Sequence, residues 1–250
     1  MRYSKLLEGK SAWITGGSAP PFDAYALLFT KHGARVTVLD CEKGCDLTEP
    51  DAAGAACEAL LSESGPPDIW LHIADVYDTA YIDELSMETL EKMLAVSVLT
   101  PFRIMKSIAV PMRENGGGSV VFVSGEYGVQ AMNRVSAYGA AKGGEIAMAN
   151  AFAVEYAADG IRVNTLVPGV SFSPVGDDIL LQSGESDTPD FWGCVQPFRR
   201  RGDMSELANA ALFLASDMSD YITGEALYIN GAEHLIAHNH GFPRKDKVMP

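Results

Sequence analysis

The sequence predicts an α/β fold, a doubly wound parallel sheet in one domain. Three observations predict it. Short apolar runs recur along the chain without polar alternation, as strands buried on both faces require. Stretches of helical length separate those runs, which is the alternation of a parallel sheet with its covering helices. The length of 250 residues and a hydrophobic fraction of 47% suit one such domain with a substantial core.

The first strand is "SAWITGG" (11–17), and a helix follows over 23–32. "ARVTVLD" (34–40) is the second strand. "DIWLHIAD" (68–75), "GSVVFVSG" (118–125), "IRVNTLVPG" (161–169) and "EALYING" (225–231) complete the apolar series. Helices are expected over 50–62, 86–113, 136–158 and 205–216. One link is short. Asp40 ends the second strand, and "CDL" (45–47) is expected as the next one. The intervening "CEKG" cannot form a crossover helix, which needs about a dozen residues. The helix covering that sheet edge is therefore expected to be missing, leaving the edge more open. Binding is expected at the C-terminal strand ends.

Composition narrows the function classes. A net charge of −14 gives a surface field that repels nucleic acid and anionic lipid. Cys41, Cys45, Cys57 and Cys194 lack paired metal-ligand spacing and are expected as reduced thiols in a cytoplasmic protein. The start "MRYSKLLEGKSAW" has no long apolar stretch, so neither a signal peptide nor a membrane span is expected there. His234, His238 and His240 lie in an expected C-terminal tail (232–250) without a partner carboxylate or cysteine, so no metal site is expected.

"YGAAK" (138–142) opens a helical stretch after "VVFVSG", and "GIRVNTLVPG" and "ELANAALFLASDMSDYITGEALYINGA" follow. With the opening Thr-Gly-Gly, this ordered set resembles the short-chain dehydrogenase/reductase family across nearly the whole chain. The resemblance implies a Rossmann-type sheet and nicotinamide-dependent alcohol chemistry. Tyr138 and Lys142 share a helix face one turn apart. In the family such a tyrosine exchanges a proton with the substrate oxygen. Free tyrosine titrates near ~10, so a neighbouring cation is needed for it to act near neutral pH. The family's lysine supplies that charge and holds the nicotinamide ribose.

Against the same family pattern, several parts are missing. The phosphate loop has Pro20 and Phe22 where its second and third glycines belong. Those glycines permit special torsions and let a pyrophosphate approach bare backbone. Pro20 has a fixed φ and no N–H, and Phe22 adds a ring. Asp23 follows at the helix start, where its carboxylate is expected to satisfy the helix end and repel a diphosphate. "HIADV" (72–76) replaces Asn-Asn-Ala-Gly, Ser97 stands at the active-site Asn, and Gly125 stands at the catalytic Ser. Strand parity turns Ser124 and Glu126 away from the vacated serine position, and Glu126 would place an anion beside a developing oxyanion. Asp40 matches the ribose-binding acid of NAD-preferring members as a remnant, "CDL" resembles the adenine-side segment, and Pro168 and Gly169 match the nicotinamide-side turn. Arg199, Arg200 and Arg201 form a cationic run that could meet an anionic substrate, an acidic partner surface or solvent.

Of four family catalytic positions, Tyr138 and Lys142 remain as remnants, and no cofactor is expected to bind this chain. The fold-building Gly16, Asn164, Pro168, Gly169 and Gly224 are kept. The pattern is similar to that of inactive subunits in heteromeric dehydrogenases of the family. That implies an active paralogue as partner, NAD in the partner, a heterotetramer, and a hydroxyacyl-CoA substrate in aromatic hydrocarbon degradation. The expected interface is the two long helices together with the last strand and its neighbouring helix. The alternative is an active NAD-dependent oxidoreductase using Tyr138 and Lys142 with an unusual loop. Cofactor-free acid–base chemistry by Tyr138 ranks last.

Overall fold

In a computed structural model of the chain, the residues described are 5–18, 21–172, 177, 180–181 and 186–235. Six parallel strands form one sheet in the order β2-β1-β3-β4-β5-β6. They are β1 (Ser11–Thr15), β2 (Arg35–Leu39), β3 (Ile69–His72), β4 (Gly118–Val123), β5 (Ile161–Pro168) and β6 (Ala226–Ile229). β1 and β3 are buried throughout, and β4 and β5 nearly so. The edge strands β2 and β6 are largely half-buried, as one unpaired side dictates.

The register divides the core. Trp13, Trp70, Val120 and Phe122 point to one face, and Ile14, Leu71, Val121 and Leu166 to the other. The first face is covered by α2 (Pro50–Ser64), α4 (Thr100–Glu114) and α5 (Ser136–Tyr156). The second is covered by α1 (Ala24–Lys31) and α7 (Met204–Ala215). The remaining helices are α3 (Met87–Leu94) and α6 (Pro189–Val195). A capping box between Asp203 and Glu206 starts α7, satisfying donors that the first turn leaves free.

Three expectations need correction. Residues 45–47 form no strand. Asp46 accepts hydrogen bonds from the N–H and the hydroxyl of Thr48, and Pro50 then starts α2 at its first turn. The segment is thus a turn feeding a crossover helix, and β2 is the sheet edge. The helix expected over 86–113 is broken by a π-helical turn over Ala95–Leu99 that contains Ser97. Asp23 sits at the start of α1 but makes no side-chain capping bond. Pro20, His238 and His240 lie outside the described residues, as does the tail beyond Leu235. The stretch Met87–Glu114 is long and apolar enough to cross a membrane by composition, yet its inner face (Met93, Ile104, Ile108, Met112) is buried in the fold.

Candidate active site

The C-terminal ends of the strands open on a cavity of about 450 Å³. Gly16 and Gly17 after β1, Asp40 after β2, Asp75 after β3, Gly125 after β4 and Pro168 and Gly169 of β5 all line it. The first loop is pressed against the loop after β3. Gly16 has φ +88°, and a Cβ on it would lie 2.6 Å from the Ala74 Cα. Only glycine meets both conditions. Phe22 lines the cavity, and the Asp40 carboxylate accepts from the Ser18 N–H at 3.1 Å.

At the other end stands the pair on α5. Tyr138 donates its hydroxyl proton to Asp75 Oδ2 at 2.8 Å. Lys142 Nζ lies 3.2 Å from Asp75 Oδ1 and 3.3 Å from Glu145 Oε2. One carboxylate therefore engages both retained residues. Burial raises the Tyr138 hydroxyl well above its ordinary value, and the Asp75 charge and hydrogen bond raise it further. Burial pulls Lys142 down, but Asp75 and Glu145 outweigh it and hold the ammonium above its usual range. This is the reverse of what proton exchange needs, since the cation that should ease tyrosine ionisation is neutralised by anions.

Behind the pair lies a second polar cluster. His72 Nδ1 meets the Thr15 hydroxyl at 2.6 Å, and Trp70 Nε1 donates to the same oxygen at 3.2 Å. His72 Nε2 meets the Val96 carbonyl, in the π-helical turn, at 3.1 Å. Burial and the Lys142 charge push His72 down to about 3, so it is neutral and its 3.7 Å approach to Glu145 is not an ion pair. Burial raises Glu145 to about 7. Its Oε1 is a buried oxygen with no hydrogen-bond partner.

Gly125 follows β4 beside the Tyr138 hydroxyl. A Cβ there would stand 3.4 Å from Tyr138 Oη, ordinary contact distance. Ser124 shares the inward parity of Phe122, and its hydroxyl donates to the Lys142 carbonyl under α5 at 3.1 Å. Glu126 is buried, and Gln130 Nε2 donates to it at 2.6 Å and Asn230 Nδ2 at 3.4 Å. Ser97 is buried in the π-helical turn. The cationic run is engaged internally: Arg199 pairs with Asp190, Arg200 with Glu206, and Arg201 with Asp177. His234 stacks on Tyr228, with ring centroids 4.1 Å apart. Cys41, Cys45 and Cys57 are free thiols. Among the described residues no cluster of three or more His, Cys, Asp or Glu is arranged to hold a metal ion.

Sequence reasoning did not single out Asp75 or Glu145. Asp75 was visible as the last position of the "HIAD" departure, where the family pattern has glycine. Glu145 had no local signal beyond a charge inside an otherwise small and apolar helix segment.

The carboxylates of Asp40, Glu42, Asp75 and Glu126 line the cavity, and no Lys, Arg or His among the described residues does. A pyrophosphate placed here would meet the field of these carboxylates.

Comparison with known proteins gives a consistent picture of kinship. Residues 33–232 match the family described as Enoyl-(Acyl carrier protein) reductase. The chain is 32% identical to an uncharacterised short-chain type dehydrogenase/reductase of Sinorhizobium fredii, covering 90% of this chain and 98% of that one. It is 29% identical to the D-threitol dehydrogenase of Mycolicibacterium smegmatis, over 90% and 93% of the two chains. The gluconate 5-dehydrogenase of Burkholderia cenocepacia, solved with NADP and tartrate, superposes with a TM-score of 0.85 at 23% identity, over 95% of this chain and 100% of that one.

Proposed function

The chain belongs to the short-chain dehydrogenase/reductase family, and within that oxidoreductase family we propose that it serves as a non-catalytic subunit. One observation carries the reading: the Asp75 carboxylate holds both the Tyr138 hydroxyl and the Lys142 ammonium. Two further features support it. Gly125 offers no oxyanion donor, a loss of about 10²–10³ in rate by itself. The acidic cavity disfavours a dinucleotide. In this reading NAD and turnover reside in an active paralogous partner, this chain completes a heterotetramer in the cytoplasm, and the substrate is an alcohol of the hydroxyacyl-CoA class from aromatic hydrocarbon degradation.

The second reading is an active oxidoreductase with an altered site. The comparisons favour it, because relatives such as a D-threitol dehydrogenase and a 3-oxoacyl-[acyl-carrier-protein] reductase are named for redox activities and the Tyr-x-x-x-Lys pair is kept. Titrating NADH into the purified chain by calorimetry separates the two. The first reading expects no saturable binding, and micromolar binding would overturn it. In a purified complex, Tyr138→Phe should leave turnover unchanged, and a large loss would restore the active reading.

A further inference from the structure

Two buried carboxyl groups meet behind the cavity wall. Glu126 begins the short turn after β4 (Glu126–Gly128) and is 2% exposed. Glu233 begins the turn after β6 (Glu233–Leu235) and is 1% exposed. Their side chains are hydrogen-bonded to each other. An ionised carboxylate only accepts, so a bond between two carboxyl groups needs a proton on one of them. Amides already donate to Glu126: Gln130 Nε2 to its Oε1 at 2.6 Å and Asn230 Nδ2 to its Oε2 at 3.4 Å. The proton is therefore assigned to Glu233, whose Oε2 accepts from the Val170 N–H at 3.2 Å. Among the described residues Glu233 takes part in no ion pair.

The pair sits where the end of the fold is fastened to the cavity. Glu126, Gly169 and Val170 all line that cavity. A Cβ on Gly169 would stand 2.4 Å from Glu233 Oε2 and 2.6 Å from the Asn230 Cβ, so residues 230–233 lie directly on bare backbone. The Gly169 N–H also donates to the Ile229 carbonyl at 3.1 Å. Beside the pair stand two further titratable groups, Tyr127 and His234. Burial and the two carboxyl groups push the Tyr127 hydroxyl up, so it stays neutral. His234 Nδ1 meets Asn230 Oδ1 at 3.0 Å.

We propose that this pair is a pH-sensitive clasp: one proton shared by Glu126 and Glu233 holds residues 230–235 against the cavity wall, and its loss releases them. Without the proton, two anions would face each other away from solvent. Burial and the neighbouring Glu126 push Glu233 up to about 9 from an ordinary 4.5. A raised carboxyl favours the closed form while protonated. The hold is therefore complete below about pH 4.5 and is lost as pH rises towards about 9. The clasp uses neither Tyr138 nor a cofactor, so it goes beyond the role proposed above.

Amide exchange on the full chain reads the clasp. The Val170 N–H donates to Glu233, and the Glu233 and Leu235 N–H groups donate to the Asn230 and Ala232 carbonyls. Protection of these amides, taken against the unstructured peptide at the same pH, should fall at least about tenfold between about pH 6.5 and 8.5. In Glu233→Gln, which imitates the protonated acid, the fall should vanish. Glu126→Gln, which offers Glu233 an amide donor in place of a carboxylate, should flatten it as well. His234→Gln should keep it. The titration of Glu145 is common to the parent and all three variants and cancels in the comparison. An equal fall in the parent and Glu233→Gln, or a fall abolished by His234→Gln, would overturn the clasp. So would carboxyl carbon shifts showing Glu126 and Glu233 both ionised at pH 7, a measurement that needs no variant. NADH titration bears on the non-catalytic reading alone, so the two proposals fail separately.

Discussion

A single carboxylate decides the character of the site. Asp75 lies where a side chain can reach both members of the Tyr–Lys pair, and it accepts the hydrogen bond of one and pairs with the charge of the other. Replacing its charge should release both. In Asp75→Asn the Tyr138 hydroxyl should ionise at lower pH than in the parent, because the anion that opposes ionisation is gone. Absorbance titration near the tyrosinate band, referenced to Tyr138→Phe, measures this, and an unchanged titration would refute the capture. Glu145 makes a second residue-level prediction. Its folded value of about 7 lies above the ordinary 4.5, mainly through burial. A raised carboxyl favours the folded state while protonated. Its contribution is full below about pH 4.5 and is lost as pH rises through about 7. Relative to Glu145→Gln, the parent should therefore lose stability from pH 5 to pH 8, by up to about 3 kcal/mol at ~1.4 kcal/mol per pKa unit. Urea unfolding of both proteins at the two pH values tests it.

Elements are joined by turns whose tolerance differs from place to place. Gly117, between α4 and β4, has φ +97°, and a Cβ on it would stand 2.3 Å from the Gly160 carbonyl oxygen. Gly44, in the turn after β2, has φ +81° with open space around it. Gly44→Ala should cost only the torsional penalty, about 1 kcal/mol, whereas Gly117→Ala should add a clash and cost about 3 kcal/mol or more. Equal unfolding midpoints for the two variants would contradict this. The same scale explains one misread segment. Cys45 and Leu47 are buried, and their apolarity resembles that of a strand. Their burial instead comes from packing in the core beside α2. The decisive local signal was the Asp-Leu-Thr-Glu-Pro sequence, with an Asp-initiated turn and a proline in the first turn of the helix.

Across the whole molecule, the buried polar cluster ties the sheet to one helical layer. His72 connects β3 to Thr15 on β1 and to the π-helical turn before α4. Trp70 Nε1 depends on the same Thr15 hydroxyl. His72→Ala would remove one of the two bonds of the Thr15 hydroxyl and the side-chain bond at the Val96 carbonyl, and open a cavity between sheet and helices. A loss of about 3 kcal/mol or more is expected, read as a lower unfolding midpoint. His72→Ala near parent stability would show that the cluster is dispensable.

Much of this architecture was legible in the chain itself. The runs over 118–125 and 161–169 announced buried parallel strands, and Tyr138 with Lys142 announced one face of one helix, because both signals are local periodicities. The missing serine was legible too, since Gly125 lies in a segment of fixed spacing from Tyr138. Only the tertiary structure brought Asp75 to Tyr138, across a sequence separation of 63 residues, by laying β3 beside β4 and packing α5 against β5 and β4. Burial, with the neighbouring Lys142 charge, set the protonation of Glu145 and His72. Periodicity fixes which way a residue faces along its own element, but the partner it meets there and the solvent it loses are set by the packing of elements distant in sequence.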